Sequence, residues 1–483
     1  MMKQPNILWI CTDRQRWDTL GCFGNRFVTT PNLDALAASG TAFACAFSQN
    51  PICSPSRASF MTGRYPRTTR LVRNGQQIPA DENLISRLLA NAGYYCGHAG
   101  KLHLAPGQPP RAIGSERRHD DGFSVFDWSL HPPDIPSAYT AWLAERGIQH
   151  KREPVEGSPY IEFGMPPETS NPGWTAQRAV DFARTNAKSE RPWFFYCSIE
   201  APHNPFDPPR EFLEPYLRRL DEIPLPRYTP GELDNKPVFQ SSDRTGAWGG
   251  TNSGYYAAEK MSTRDHRLIR AAYWALIDHI DFEGGRIIAT LRETGQLDNT
   301  LVLFMSDHGE MLGDHGIYFQ GAYFYDEMIR VPLVFGGLNR LQPGIRSSAL
   351  VELVDIVPTV LDAAGVASYP GVQGKSLWPI LTGQAAPDQH REDIYSEYYQ
   401  SIPTGYKKLG GAYLTGLRSD RYLLTVVHGR DDGELYDLAS DPPQTFNRWA
   451  DPQYQAVKIQ LLKRLCDRMA DTIDPLPPTE AAY

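Results

Sequence analysis

In the segment NPICSPSRASFMTGRYP, Asn50 to Pro66, a cysteine stands two residues before a proline and four before an arginine. The pattern predicts a tight turn over Cys53-Ser54-Pro55 running into a helix through Ser56, Arg57, Ala58, Phe60 and Met61. Pro55 suits the first turn and Gly63 the stop. Cys53 then lies at a helix N-terminus, where unpaired backbone N–H groups favour an anion. Two readings follow: a reactive group aimed at an anionic substrate, or a small buried residue that caps a turn. A second set of residues has metal-binding character. Asp13 follows the apolar run NILWIC, and Asp307-His308 follow LVLFMS. Two carboxylates suit a hard divalent cation, and the imidazole widens the choice toward manganese or zinc. Singly, an Asp at a strand end more often caps a turn than binds metal.

Those groups need a scaffold that brings distant parts of the chain together. Four short apolar runs share one arrangement, each reading as a buried strand followed by polar, chemically able residues. NILWIC leads to Asp13, GYYCGHAG to Lys101 and His103, WFFYCSIEAP to His203, and LVLFMS to Asp307 and His308. Helical patterns lie between them: PNLDALAAS after the first run and, before the last, Ile269, Tyr273, Leu276, Ile277, Ile280 and Ile287 at helical spacing. Strands alternating with helices predict an α/β fold, with a mostly parallel central sheet flanked by helices and ligands bound beyond the carboxyl ends of the strands. A composition shift near 365–390 marks a boundary, giving a catalytic unit over 1–370 and a smaller unit over 371–483. In that tail DIYSEYY, YLTGL and YLLTVV read as strands. Tyr454, Val457, Leu461, Leu465 and Met469 share a helix face, so the tail is predicted as an antiparallel sheet plus helix. Residues 204–265 and 131–139 are rich in Pro and Gly, and are candidate lids or oligomer arms. Within the first of these, GAWGGTNSGYY (246–256) offers rings that could stack on a sugar or aryl group or pack the loop itself.

The composition narrows the classes. With 483 residues, 41% of them hydrophobic, and a mean hydropathy of −0.43, the chain reads as globular, with no membrane segment. A net charge of −8 without a basic block argues against nucleic acid as the partner. The seven cysteines are odd in number and contain no C-x-x-C pair, so neither a disulfide framework nor a zinc cluster is indicated. Cys11, Cys22, Cys96 and Cys197 read as packing residues. The absence of a leader-like segment points to the cytoplasm, or to the periplasm if a leader has been removed.

CSPSR (Cys53 to Arg57) resembles the C-x-P-S-R signature of the type I sulfatases, in which the cysteine is oxidised after translation to formylglycine. The likeness continues in ICTDRQRWDTLGCFGN, GKLH (Gly100 to His103), APH ending at His203, SDHGEMLGDHG around Asp307, YDEMIRVPLV and ELYDLASDP, in order along nearly the whole chain. The resemblance implies the alkaline phosphatase-like fold and hydrolysis of a small-molecule or sugar sulfate ester. Phosphonate monoesters and phosphodiesters are the alternative substrates, and a catalytically silent anion-binding protein is a third reading. It further implies a formylglycine-generating maturation enzyme as partner and a divalent metal held by Asp13, Asp307, His308 and residue 53, calcium first and manganese next. By the same likeness Arg57 holds the nucleophile, Lys101 neutralises the transferring group, His103 is a base, and His203 binds the ester or protonates the leaving alcohol. A homo-oligomer is compatible with these features.

Two positions depart from the family pattern. Asp13 is followed by Arg14, which cannot ligate a metal, where many members have a second Asp. This resembles the branch that includes phosphonate monoester hydrolases. Gln320 stands where a lysine is usual. Arg14, if turned inward, could replace that lysine, and otherwise it is a surface residue. His315, close in sequence to Asp307, is a further substrate-binding candidate.

Overall fold

In a computed structural model of the chain, which describes residues 3–107, 116, 120–246, 256–400, 406 and 409–481, the four apolar runs become strands of one sheet. Its members are β1 (Asn6–Thr12), β2 (Thr41–Phe47), β3 (Tyr95–Gly100) and β4 (Val125–Trp128). After a two-stranded ribbon, β5 (Glu153–Pro154) and β6 (Glu162–Phe163), come β7 (Trp193–Ser198), β8 (Thr300–Ser306), β9 (Arg330–Gly336), β10 (Ile345–Ser347) and β11 (Val351–Glu352). The order across the sheet is β10-β2-β9-β8-β1-β7-β3-β4, with β11 also beside β2. Neighbours run parallel except at β9, which is antiparallel to both β2 and β8. The sheet is therefore mostly parallel, as expected from the sequence.

Strands β1, β7 and β8 are apolar on both faces because helices cover both sides. On one face the 31-residue helix Thr263–Glu293 packs with Pro31–Ala38 and Asn171–Thr185 around Leu8, Ile10, Phe195 and Phe304. Ser262 and Asp265 close its start as a reciprocal cap. On the other face Cys53–Thr62, Ile85–Asn91 and Ile356–Ala364 pack against Ile7, Trp9, Phe194 and Leu303. The helix of the cysteine segment begins at Cys53 itself, one turn earlier than the sequence suggests, so Pro55 lies in its first turn and Gly63 ends it in the left-handed region.

Beyond these elements, β12 (Asp393–Tyr399), β13 (Tyr413–Ser419), β14 (Tyr422–Val427) and β15 (Gly433–Asp437) form an antiparallel sheet in sequence order. The helix Gln455–Asp471 lays Leu461 and Leu465 on one face of it. Its other face packs on Phe47, Ile52 and Phe324, behind the cysteine segment. β12 also holds the loop before Cys53: Glu397 N–H donates to Gln49 O (2.9 Å) and Asn50 Nδ2 donates to Glu397 O (2.6 Å). The described part of 204–265 includes the α-helices Arg210–Leu217 and Val238–Arg244, which bury Leu213 and Phe239. Most of the GAWGGTNSGYY segment, residues 247–255, lies outside the described residues. All seven cysteines are unpaired. Among the described residues no helix is long and apolar enough to cross a membrane.

One buried ionic junction ties the chain after 370 to the large sheet. Asp355, at the start of the helix Ile356–Ala364, accepts from Arg391 Nε (3.0 Å) and His390 Nε2 (3.0 Å), and Arg391 also reaches Glu352 at 3.3 Å. Burial works to raise the Asp355 carboxyl, but Arg391 and His390 outweigh it and hold it well below the usual carboxylate range. A carboxyl depressed on folding contributes stability above its unfolded pKa, near 3.9, and loses it as pH falls toward the folded value. Urea denaturation should therefore find Asp355→Asn destabilised at pH 7, by roughly 3 kcal/mol for a broken buried pair. The gap to the parent protein should narrow as the pH is lowered below 4. A gap that stayed constant with pH would refute the ionic account.

Candidate active site

The register of the central strands sets the level of the site. Thr12 lies opposite Ser306, Cys11 opposite Ser198, and Gly100 opposite Ser198, so β8, β1, β7 and β3 end almost flush. The residues that follow them, Asp307, Asp13, Ile199 and Lys101, emerge side by side. Gly100 makes this close approach possible. It has φ +95°, and a Cβ there would stand 1.9 Å from Ser198 O.

The donor atoms of Asp13, Cys53, Asp307 and His308, all buried, lie within 4.8 Å of one another. Each ligand is fixed by a partner on its far side. Asp13 Oδ2 is held by Lys101 Nζ at 2.6 Å and Arg57 Nη2 at 3.2 Å, and Oδ1 lies 3.7 Å from Cys53 Sγ. Asp307 Oδ2 takes Arg57 Nε at 2.9 Å, and Oδ1 accepts from the backbone N–H groups of Arg14 and His308. Gly309 O can only accept, so His308 Nδ1 carries the proton toward it (2.8 Å). Nε2 is left with its lone pair, 3.1 Å from Cys53 Sγ. This is the arrangement that metal-ligating imidazoles adopt. The residues fit a divalent cation, with two carboxylates, one oriented imidazole and the residue-53 side chain as its holders.

The remaining nitrogen of Arg57 is also committed. Nη1 donates to Lys101 O at 2.8 Å and to Ser198 Oγ at 2.9 Å. The guanidinium is thus directed to the carboxylates and strand ends, where the resemblance alone had it reaching back to the nucleophile. Burial would raise the Asp13 carboxyl, but Lys101, His203 and Arg57 together hold it well below the usual range. Burial opposes the charge on Lys101, and Asp13 more than restores it. Burial, helped by Asp13, pushes the Cys53 thiol up to about 12. Arg57 and Lys101 already balance Asp13 and Asp307, so a divalent ion leaves an excess of positive charge for an anion to fill.

Above this cluster opens a pocket of about 240 Å³, lined by Arg14, Cys53, Lys101, His103, His203 and Gln320, with Asn74, His131, Asn204 and Phe319 completing it. The structure therefore brings together all but one of the residues singled out in the sequence. Arg14 turns inward: it is almost fully buried, donates to Asn204 Oδ1 (2.9 Å), approaches Glu310 at 3.4 Å and lies over the Phe319 ring. Gln320 Oε1 is 3.4 Å from Cys53 Sγ. His103 has its backbone N–H on Glu116, whose carboxyl burial pushes up to about 7. The His103 ring is held well below the ordinary histidine range by burial and Lys101. His203 donates Nδ1–H to Asn204 O, and burial with Arg14 and Lys101 likewise lowers it. His315 stands apart, paired with Glu232 at 2.8 Å and stacked on Tyr325, and does not line the pocket.

Four lining residues carry no signal that the sequence analysis had used: Asn74, His131, Asn204 and Phe319. Asn74 accepts from Ser54 N–H (3.0 Å), bracing the start of the cysteine helix. His131 lies against Glu200 at 2.7 Å and beside His203, with ring centroids 4.9 Å apart. Its segment was legible only as an irregular, proline-rich stretch.

Residues 5–366 match the family described as Sulfatase, and residues 313–471 match that described as N-sulphoglucosamine sulphohydrolase, C-terminal. The chain is 28% identical over 482 residues to an arylsulfatase of Clostridium perfringens, across 96% of this chain and 93% of that one. It is 29% identical over 466 residues to a choline-sulfatase of Rhizobium meliloti, across 93% of this chain and 83% of the other. The solved structure of a phosphonate monoester hydrolase from Silicibacter pomeroyi is similar at TM-score 0.84 and 27% identity, covering 98% of this chain and 96% of that one.

The four-donor cluster makes a claim about binding that needs no turnover. Calcium or manganese added to chelated protein should raise its stability, by about 2.7 kcal/mol at a hundredfold excess over the dissociation constant. Calorimetric titration should show one site per chain, and Asp307→Asn should abolish both the heat and the stabilisation. An Asp307→Asn protein that bound the ion as tightly as the parent would remove this cluster as the metal site.

Proposed function

Because this chain belongs to the sulfatase family, in the alkaline phosphatase-like group, we propose that it hydrolyses a sulfate ester to alcohol and sulfate, using formylglycine made from Cys53. The observation that carries the reading is the C-x-P-S-R cysteine at a buried helix start, enclosed by Asp13, Asp307, His308 and Lys101. A thiol would be a poor choice for this reaction, since a thiosulfate product cannot collapse usefully. A hydrated aldehyde offers one hydroxyl to attack sulfur and a second whose deprotonation expels sulfate and restores the aldehyde. The partner implied is a formylglycine-generating maturation enzyme. When bound, a divalent ion, calcium or else manganese, acidifies the attacking hydroxyl and binds an ester oxygen.

This chain's own residues would do the rest. Arg57 acts as a positioning residue, locking Asp13 and Asp307 with their donor atoms inward. Lys101, charged through its contact with Asp13, stabilises the charge on the transferring group. His103, kept neutral by its surroundings, is suited to take the second hydroxyl proton. His203 binds the ester oxygen and protonates the leaving alcohol once the anionic substrate has raised its basicity. Arg14 and Gln320 occupy the wall where the family's lysine is missing, and Arg14 supplies positive charge tempered by Glu310. We assign the reaction to residues 1–370, with 371–483 buttressing the loop before Cys53 through Glu397.

A second reading, cleavage of phosphonate monoesters or phosphodiesters at the same site, is favoured by the Asp13-Arg14 pair and by the close likeness to the phosphonate monoester hydrolase. One sample resolves the choice. Mass spectrometry of the tryptic peptide carrying residue 53 should show loss of sulfur and gain of a carbonyl, and an aryl sulfate should be turned over faster than a phenylphosphonate monoester or a phosphodiester. Full activity with an intact thiol would sink the mechanism, and a faster phosphonate would favour the second reading.

The leaving-group step is tested separately. His203→Ala should slow an alkyl sulfate by roughly a hundredfold or more, and a nitrophenyl sulfate, whose leaving group needs little help, by less than about tenfold. Equal losses would confine His203 to binding the ester.

A further inference from the structure

A second cavity, of about 280 Å³, meets the reaction pocket at His131, His203 and Asn204, which line both. Its charge is opposite in sense to that of the first. Asp134, Glu200 and Asp207 line it, and the one arginine, Arg152, is already committed to Asp207 at 2.7 Å and to Pro132 O at 3.1 Å. At its back lies His279, fully buried on the long helix. Its Nδ1 has no hydrogen-bond partner among the described residues, and its Nε2 has only a 3.5 Å approach to Glu283. A buried imidazole nitrogen left without a partner is costly unless a ligand or water meets it.

We propose that the alcohol part of the ester lies in this second chamber, and that the chamber selects an uncharged, hydroxyl-rich alcohol of about one sugar ring and rejects one carrying a second anionic group. The orientation of the ester rests on the sulfatase reading. The selectivity rests on the chamber alone.

Three features carry the choice. Hydroxyl groups donate, and the walls offer acceptors: the exposed carboxylate of Asp134, that of Asp207, which it shares with Arg152, and, closed off from solvent, the unpartnered Nδ1 of His279. A second sulfate or a carboxylate would face those carboxylates with no uncommitted arginine or lysine among the described lining residues to receive it. A quaternary ammonium head would need ring faces, yet no Trp, Tyr or Phe is among the described lining residues, whereas Pro172, Pro209 and Leu276 supply the apolar surface that a sugar's C–H face packs against. The volume, just below the roughly 300–1,000 Å³ of drug-sized ligand sites, matches a small ring. Arg14 does not reverse this preference, because it lines the reaction pocket and not this chamber, and its Nη1 is spent on Glu310 and Asn204.

The test is calorimetric binding of glucose 6-sulfate and glucose 3,6-disulfate to the full chain with Cys53 unmodified, so that nothing is hydrolysed. The monosulfate should bind at least tenfold tighter than the disulfate. Asp134→Lys, at an exposed wall position, and Asp207→Asn, which releases Arg152, should each shrink or invert that ratio. Two positions on different loops guard against a single misfolded variant. Equal or tighter binding of the disulfate, or a ratio untouched by both substitutions, would overturn the proposal. Hydrolysis of nitrophenyl sulfate by matured enzyme is read in parallel. Its absence with the binding ratio intact would sink the sulfatase reading and leave the chamber's selectivity standing, and its presence without the ratio would do the reverse.

Discussion

The structure depends on an ionic lattice closed off from water. Asp13, Arg57, Lys101 and Asp307 all have fully buried side chains, and they form ion pairs with one another at 2.6–3.2 Å. Removing four charges from water costs several kcal/mol each, and such a group survives only when every charge is paired in good geometry. This requirement explains features that lie well outside the site. The strands must end level, so that Asp13 and Asp307 both reach the Arg57 guanidinium, at Nη2 and Nε. The helix Cys53–Thr62 must run beneath them to deliver Arg57. Gly100 must lack a side chain so that Lys101 can pass beside Ser198. The C-terminal sheet extends the same constraint, because its β12 strand and its apolar face against Ile52 fix where the cysteine helix begins.

Pairing also sets out the donor atoms that a metal would use. Each carboxylate spends one oxygen on a cation and keeps the other aimed inward, and His308 spends Nδ1 on Gly309 and keeps Nε2. The lattice is electrically complete before any ion arrives. A divalent ion would therefore convert a balanced site into a positive one, adding to the charge that Lys101 and Arg14 turn toward an anionic substrate.

Much of this was legible in the sequence because it is written in periodicity and in short motifs. The runs that became β1, β3, β7 and β8 are apolar throughout, as strands covered on both faces must be, and the long helix shows its stripe from Ile269 to Ile287. Asp13, Cys53, Arg57, Lys101, His103, His203, Asp307 and His308 follow those elements within a few residues, so placing the strands placed the site. Other parts were hidden. β2, TAFACAF, is rich in alanine and suits a helix as readily as a strand. The antiparallel insertion of β9 between β2 and β8 depends on pairing that no local pattern encodes. Arg14, His103, His131 and Phe319 all have φ between +44° and +68°, where residues with side chains are strained. Which way such a residue points is set by the loop around it, and this is why Arg14 could not be oriented from its neighbours. His315 stands off the pocket for a related reason: closeness in sequence to Asp307 counts for less than the Glu232 carboxylate, contributed from a distant loop.

The two adjoining chambers impose opposite demands on the bond that joins them. On the proposed sulfatase reading, attack at sulfur would proceed in the chamber that carries Lys101 and Arg14, where negative charge is welcome. On the proposed placement, the departing oxygen moves toward Asp134, Asp207 and Glu200, where an alkoxide would be repelled. Charge can cross that boundary cheaply only as a neutral alcohol, so a proton must be available at the wall itself. The wall holds two imidazoles, His203 with its Nδ1 proton on Asn204 O and His131 against Glu200, 4.9 Å from ring to ring. An acidic alcohol chamber and a histidine boundary are therefore parts of one arrangement: the carboxylates that favour a hydroxyl-rich alcohol also make its release depend on protonation before it leaves.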